Sequence, residues 1–238
     1  MSAETLRAGR RVYLDHAATT PVDARVLAAM LPYFSEKFGN PNSPHAFGRE
    51  AVTAVDDARD TVAACIGAKA NEVYFTSGGT EADNWALAGI MRANAERGRH
   101  FIVSAVEHHA VLEAARALCK EGFSCSVAPV DGAGAVDVAA LKGLLRPDTV
   151  LVCLMAANNE VGTVQPLAEV SALCRERGIL LFSDAVQAAG TLPVNVNSPR
   201  VDLLSPSSHK LYGPKGAGAL YVRSGVKIAP HLFGGRQE

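Results

Sequence analysis

The chain has 238 residues, with 23 Lys+Arg against 24 Asp+Glu, 48% hydrophobic and 20% charged residues. That near-neutral balance argues against a nucleic-acid binder, and the mixture is globular rather than disordered. No apolar run approaches the roughly 18 residues of a membrane span. The opening MSAETLRAGR has no apolar core of a signal peptide. Five scattered cysteines (Cys65, Cys119, Cys125, Cys153, Cys174) make neither a disulfide framework nor a zinc ribbon. A reduced, cytoplasmic location is the expectation.

In chain order, Lys37–Phe47 (KFGNPNSPHAF) is rich in Asn, Pro, Gly and Ser, and its two prolines forbid a continuous helix. Helical spacing of Val52, Val55, Ala58 and Val62 predicts a helix over 48–64. Short apolar runs at 73–76, 101–104, 149–155 and 179–182 read as buried parallel strands, with helices over 80–97, 109–120 and 167–177 between them. Leu203-Leu204 and Ala219–Val222 read as two closing strands around a Gly/Pro-rich connection. The alternation predicts an α/β fold, three layers with a mostly parallel sheet and helices on both faces. Phe233–Glu238 is neither a capped helix nor a polar tail, and reads as a cut inside a larger protein.

Parallel sheets carry their sites at the carboxyl ends of strands. After 73–76 comes Ser77-Gly78-Gly79-Thr80-Glu81, a glycine turn opening a helix. It suits either an anion or a plain helix cap. After 101–104 comes Glu107-His108-His109; adjacent residues on a helix face different ways, so joint metal ligation is not expected. After 149–155 comes Asn158-Asn159-Glu160, a turn or an amide facing a ligand. After 179–182 comes Asp184 and then Gln187, on one face if the chain turns helical. Asp184 either caps that helix or pairs with a cationic ring nitrogen. After 203–204 comes Ser205-Pro206-Ser207-Ser208-His209-Lys210, where a desolvated lysine between hydroxyls has a nucleophilic amine. An anion cradle, a histidine for stacking, a carboxylate and an amine together complement pyridoxal 5'-phosphate.

The stretches LDHAATTP (14–21), FGNPNSPHAFGREA (38–51), TSGGTEADN (76–84), VEHHAV (106–111), NNEVGTVQP (158–166), SDAVQAAG (183–190) and SSHKLYGPKGAGALYVR (207–223) resemble the iron–sulfur-cluster type of cysteine desulfurase. These belong to the class V aminotransferase group of fold-type-I pyridoxal-phosphate enzymes. The resemblance implies that Lys210 holds the cofactor covalently and acts as base. It implies that Asp184 pairs with the pyridine nitrogen, Gln187 contacts the ring hydroxyl and His108 stacks on the ring as an acid/base. Gly79, Thr80, Ser207 and His209 would hold the phosphate, with Ser208 also among the cofactor-binding residues and Asn159 near the ring and the substrate carboxylate. No metal is implied. Pro206 stands where the family usually has an aromatic, and Arg236 lies in a glycine-rich stretch.

The same resemblance divides the chain into an N-terminal arm (1–20) and a cofactor-binding large domain (21–238). It leaves a small domain, the sulfur-accepting cysteine and a partner-subunit contact outside the chain. The expected activity is removal of sulfur from L-cysteine to give L-alanine and a protein persulfide for cluster or thio-cofactor assembly, with this chain alone incomplete for turnover. The expected partners are a second subunit in a homodimer and a scaffold or sulfur-acceptor protein, with neither nucleic acid nor membrane. A selenocysteine or cysteine-sulfinate lyase of the same group, and a non-catalytic cofactor-domain fragment, are the alternatives.

Overall fold

Short, wholly apolar runs form the middle of a seven-stranded sheet. The computed structural model describes residues 12–235. Its elements, in chain order, are α1 (Ala24–Met30), α2 (Pro32–Ser35), α3 (Ala46–Ile66), β1 (Val73–Thr76), α4 (Gly79–Ala93), β2 (His100–Ser104), α5 (His109–Lys120), β3 (Ser124–Ala128), α6 (Val138–Leu144), β4 (Thr149–Cys153), α7 (Leu167–Arg177), β5 (Leu180–Asp184), β6 (Leu203–Ser205) and β7 (Gly218–Val222). The sheet order is β1-β7-β6-β5-β4-β2-β3. Only β7 runs antiparallel to its neighbours, and the remaining pairs are parallel. Six strands therefore deliver their carboxyl ends to one edge.

Strand alternation sends side chains to two separate cores. Ile102, Val152, Leu181 and Leu204 pack with Ile66 of α3, Leu141 of α6 and Val170 of α7. Phe101, Val103, Cys153, Phe182 and Leu203 pack with Leu87 and Ile90 of α4 and with Val111 and Leu118 of α5. This is the expected three-layer α/β/α arrangement. All residues of β2 and β4 are buried, which is why their sequences lack an apolar–polar alternation.

The chain passes from β2 through α5 to β3 on one side, then returns to place β4 on the other side of β2. Helices α5 and α7 lie on opposite faces. The loops after β2 and β4 therefore diverge, opening a crevice at the switch point where ligands bind in sheets of this kind.

Several boundaries differ from expectation for physical reasons. The strand expected over 149–155 stops at Cys153, and Asp184, expected beyond a strand over 179–182, is the last residue of β5. The helix expected to 97 ends at Ala93, where Asn94 caps it. Strand β3 (SCSVA) was not expected: it is an edge strand, mostly part-exposed, with small polar residues. Helices α1 and α2 bury no residue, and α6 buries only Leu141, so none has an apolar face to read. No helix among the described residues is long and apolar enough to cross a membrane. Residues 1–11 of the expected N-terminal arm, and Arg236, lie outside the described residues.

Candidate active site

Along the carboxyl edge, a cleft of about 590 Å3 is lined by loops after β1, β2, β4, β5 and β6. Its anion-facing corner begins at Gly78, whose φ of 154° suits only glycine. Ser77 donates its backbone N–H and its hydroxyl to Glu81 Oε2, at 2.7 and 2.6 Å, which fixes the loop on the first turn of α4. The amides of that first turn have no intrahelical acceptors, and Gly79 and Thr80 line the cleft. Ser207 is 2% exposed, and its hydroxyl makes no hydrogen bond among the described residues. A Cβ built on Gly79 would stand 3.7 Å from Ser207 Cβ, so the glycine loop and the β6 loop close one corner together.

Gly218 holds that corner from below. A Cβ there would meet Gly78 Cα at 2.7 Å and Gly78 C at 2.8 Å. Backbone so close has nowhere to move. Gly218→Ala is expected to cost about 1–3 kcal/mol of stability, typical of an overpacked site, and to lift the glycine loop away from Ser207. Denaturant unfolding together with phosphate-ester affinity checks this; unchanged values for both would show that the loop tolerates the methyl.

Lys210 ends a 3-10 turn, Ser208–Lys210, after β6. Its Nζ donates to the Ala17 carbonyl and, at 2.9 Å, to the Ala18 carbonyl. Burial lowers its pKa below the ordinary lysine value, and the charges of Asp15 and Asp184 oppose that shift. The following loop is laced to the N-terminal segment. Thr20 donates its N–H and its hydroxyl to the His209 carbonyl at 2.9 and 2.8 Å. Tyr212 donates its N–H to Thr20 Oγ1 at 2.9 Å and holds a left-handed φ of 59°. Such a backbone persists only where its surroundings fix it.

His209 has Nδ1 3.1 Å from Thr19 Oγ1, and burial lowers its pKa, with Lys210 and Lys215 adding to the effect. Ser208 departs from expectation: its hydroxyl donates to the Pro214 carbonyl, and it is not among the lining residues. Its place in the turn points it away from the corner that Ser207 occupies.

Asp184 is 5% exposed and accepts the Val186 N–H on Oδ1 at 2.8 Å. Residues 185–190 form turns rather than a helix, yet Asp184 and Gln187 still share the cleft wall. Gln187 Nε2 donates to the Ala17 carbonyl at 2.9 Å. His108 caps α5, accepting the Ala110 N–H on Nδ1 at 3.1 Å. An accepting nitrogen carries no proton, so in this geometry the ring proton sits on Nε2. Asn159 lines the cleft and donates to Glu160 Oε1 at 2.8 Å. Its neighbour Asn158 is structural, taking the N–H groups of Glu160 and Val161 on Oδ1.

Two parts of this site escaped the sequence reading of single residues. Asp15, Ala17 and Ala18 form a wall, and nothing local in LDHAATTP reveals its distant partner. Asp83 also lines the cleft at 1% exposure, its Oδ1 accepting the Ser205 hydroxyl at 2.6 Å. Its signal was legible: an acid at a core position of α4 between Ala82 and Ala86. Burial first, then the charges of Asp184 and Glu107, push Asp83 well above the usual carboxylate range. Burial likewise raises Asp184, against the Val186 N–H and the charges of His108 and Lys210. Among the described residues no group of acids, histidines and cysteines is arranged to hold a metal ion.

Similar proteins agree with this architecture. Over 229 residues the chain is 54% identical to cysteine desulfurase IscS of Dictyoglomus turgidum, covering 96% of this chain and 58% of that protein. It is 53% identical over 228 residues to a putative cysteine desulfurase IscS 1 of Bacillus subtilis, covering 96% and 60%. A solved NifS-like protein superposes with a TM-score of 0.93 at 44% identity, covering 95% of this chain and 63% of that one. The structure of SspA in complex with cysteine gives 0.91 at 36% identity, covering 95% and 66%. The chain thus spans about three fifths of the length of these two curated relatives. Residues 12–238 match the family described as Aminotransferase class-V, and the chain belongs to that family.

Proposed function

We propose that this chain is the cofactor-binding part of a pyridoxal-phosphate-dependent cysteine desulfurase acting on L-cysteine. Cysteine desulfurases of the class V aminotransferase family are pyridoxal-phosphate enzymes. The observation that carries the reading is one cleft containing both a desolvated Lys210 and a buried Asp184, closed at one corner by a glycine turn at a helix N-terminus. The Ser207 hydroxyl, without a hydrogen-bond partner among the described residues, and the amides of the first turn of α4 fit a phosphate group. When bound, pyridoxal phosphate supplies an electron sink for the carbon that bears the substrate amine.

The protein's own residues divide the remaining work. Lys210 would provide the amine that holds the cofactor's aldehyde and would move a proton at the substrate α-carbon. Asp184 would hold a proton on the ring nitrogen. His108 would cover the ring face with Nε2–H available to donate, and Gln187 and Asn159 would orient the groups at the rim. The sulfur passes to a thiolate, the C–S electron pair stays on carbon, and that carbon takes up a proton to give L-alanine. None of the five cysteines lines the cleft, so the accepting thiol is not among them. The reading carries with it a cytoplasmic, homodimeric enzyme that hands persulfide sulfur to a scaffold or acceptor protein.

The test is optical. L-Cysteine added to the cofactor-loaded protein is expected to change the cofactor's visible band saturably, with much smaller changes from L-serine and L-methionine. A band indifferent to L-cysteine overturns the substrate assignment.

A further inference from the structure

We propose that Glu107 is a positioning residue, a neutral buried acid that clamps the ends of β2 and β4 and so fixes His108 over the cleft. The inference rests on the reading of the cleft as a pyridoxal-phosphate site. Glu107 is 5% exposed and immediately precedes His108. Its Oε1 accepts the Ser104 hydroxyl at 2.5 Å, from the last residue of β2. The same oxygen accepts the Met155 N–H at 2.8 Å, just beyond β4. Asn158 adds a second strap, donating through Nδ2 to the Val106 carbonyl at 3.0 Å. These bonds cross the switch point where the two loops would otherwise part.

The other oxygen, Oε2, is buried with no hydrogen-bond partner. An ionised carboxylate with one bare, buried oxygen is costly. The charge of Asp184 worsens that cost, and among the described residues no titratable group electrostatically coupled to Glu107 is basic. Asp184 comes from β5, Asp83 from α4 and Cys153 from β4. No lysine or arginine forms an ion pair with Glu107 among the described residues. The cation of the cleft, Lys210, faces Asp184. Burial, with the charge of Asp184 adding to it and the Ser104 and Met155 bonds opposing it, raises the Glu107 pKa from 4.5 to about 7. A proton on Oε2 removes the charge and leaves Oε1 free for its two donors. The negative charge of the cleft floor then concentrates on Asp184, which faces Lys210.

Infrared spectroscopy of the cofactor-free protein tests the protonation directly. In the wild-type minus Glu107→Gln difference spectrum, which cancels the Asp83 carboxyl, a protonated-carboxyl band at pH 6 that fades as pH rises through about 7 is expected. Stability carries the same sign. A carboxyl whose folded pKa is raised favours folding below the unfolded value and loses that contribution as pH rises through the folded one. The gap from 4.5 to about 7 corresponds to roughly 300-fold in the folding equilibrium. Glu107→Gln should lose that share of the slope.

Positioning is read in the holoprotein. Glu107→Gln, which keeps both Oε1 contacts, should bind pyridoxal phosphate within about twofold of wild type. Glu107→Ala should lose roughly tenfold or more, as supporting contacts do elsewhere, and should weaken the induced circular dichroism of the ring. An infrared spectrum and a pH–stability profile unchanged by Glu107→Gln overturn the proposal, as does Glu107→Ala with normal affinity and dichroism. Failure of the wild type to take up pyridoxal phosphate would instead sink the cofactor reading while leaving the infrared result standing.

Discussion

Replacing Lys210 by alanine is expected to abolish covalent capture of pyridoxal phosphate. Borohydride treatment of the loaded wild-type chain should add one pyridoxyl mass to the peptide bearing Lys210, and the variant should carry at least about a thousandfold less, the scale of losing an activated nucleophile. The selectivity follows from environment. Lys215 sits exposed in the turn before β7, and Lys227 is exposed beside a groove lined by Arg97 and Arg223. Both amines are exposed, whereas burial depresses the Lys210 pKa. Lys210→Arg should fail equally, because a guanidinium does not give up its proton. Stability should change by no more than about 1 kcal/mol, since the bonds of Nζ are to exposed carbonyls of Ala17 and Ala18. Label found on Lys215 or Lys227 would refute the assignment.

The fold was legible where burial is complete and illegible where it is not. The apolar runs of β2, β4 and β5 announced themselves because residues buried on both faces leave no room for polar alternation. Strand β3 hid because it has one neighbour and an exposed Val127. Site residues were legible where they follow a strand, since strand ends set the edge of the cleft. His108, Asn159, Asp184, Ser207, His209 and Lys210 all line it. The wall formed by Asp15, Ala17 and Ala18 depends on Thr20 meeting His209, 189 positions away. No local pattern encodes such a pairing. Ser208 does not line the cleft, because neighbouring hydroxyls in a tight turn point in different directions and only that of Ser207 is on the cleft side.

Asp184→Asn should slow exchange of the cysteine α-proton while leaving the protein as stable as before, or more so. The amide preserves the bond from the Val186 N–H, because Oδ1 remains an acceptor. What changes is the group proposed to face the ring nitrogen. A carboxylate favours a proton there; an amide does not, so the ring loses much of its capacity to draw electrons. Removing a preorganised electrostatic contact of this kind typically costs about 3–4 kcal/mol in the barrier, a factor of several hundred. The charge that vanishes also supported a protonated Lys210, so the lysine pKa should fall further, toward the value set by burial and Asp15 alone. Borohydride capture should therefore reach its half-maximal rate at lower pH in the variant. Stability moves the other way because a charged Asp184 is itself buried and makes Asp83 and Glu107 harder to ionise beside it. Neutralising Asp184 relieves that cost, so the acid cluster is arranged for the cofactor at a cost in stability. An unchanged α-proton exchange rate in Asp184→Asn would remove Asp184 from the chemistry, and a lower stability at neutral pH would show that its charge is compensated better than its neighbours imply.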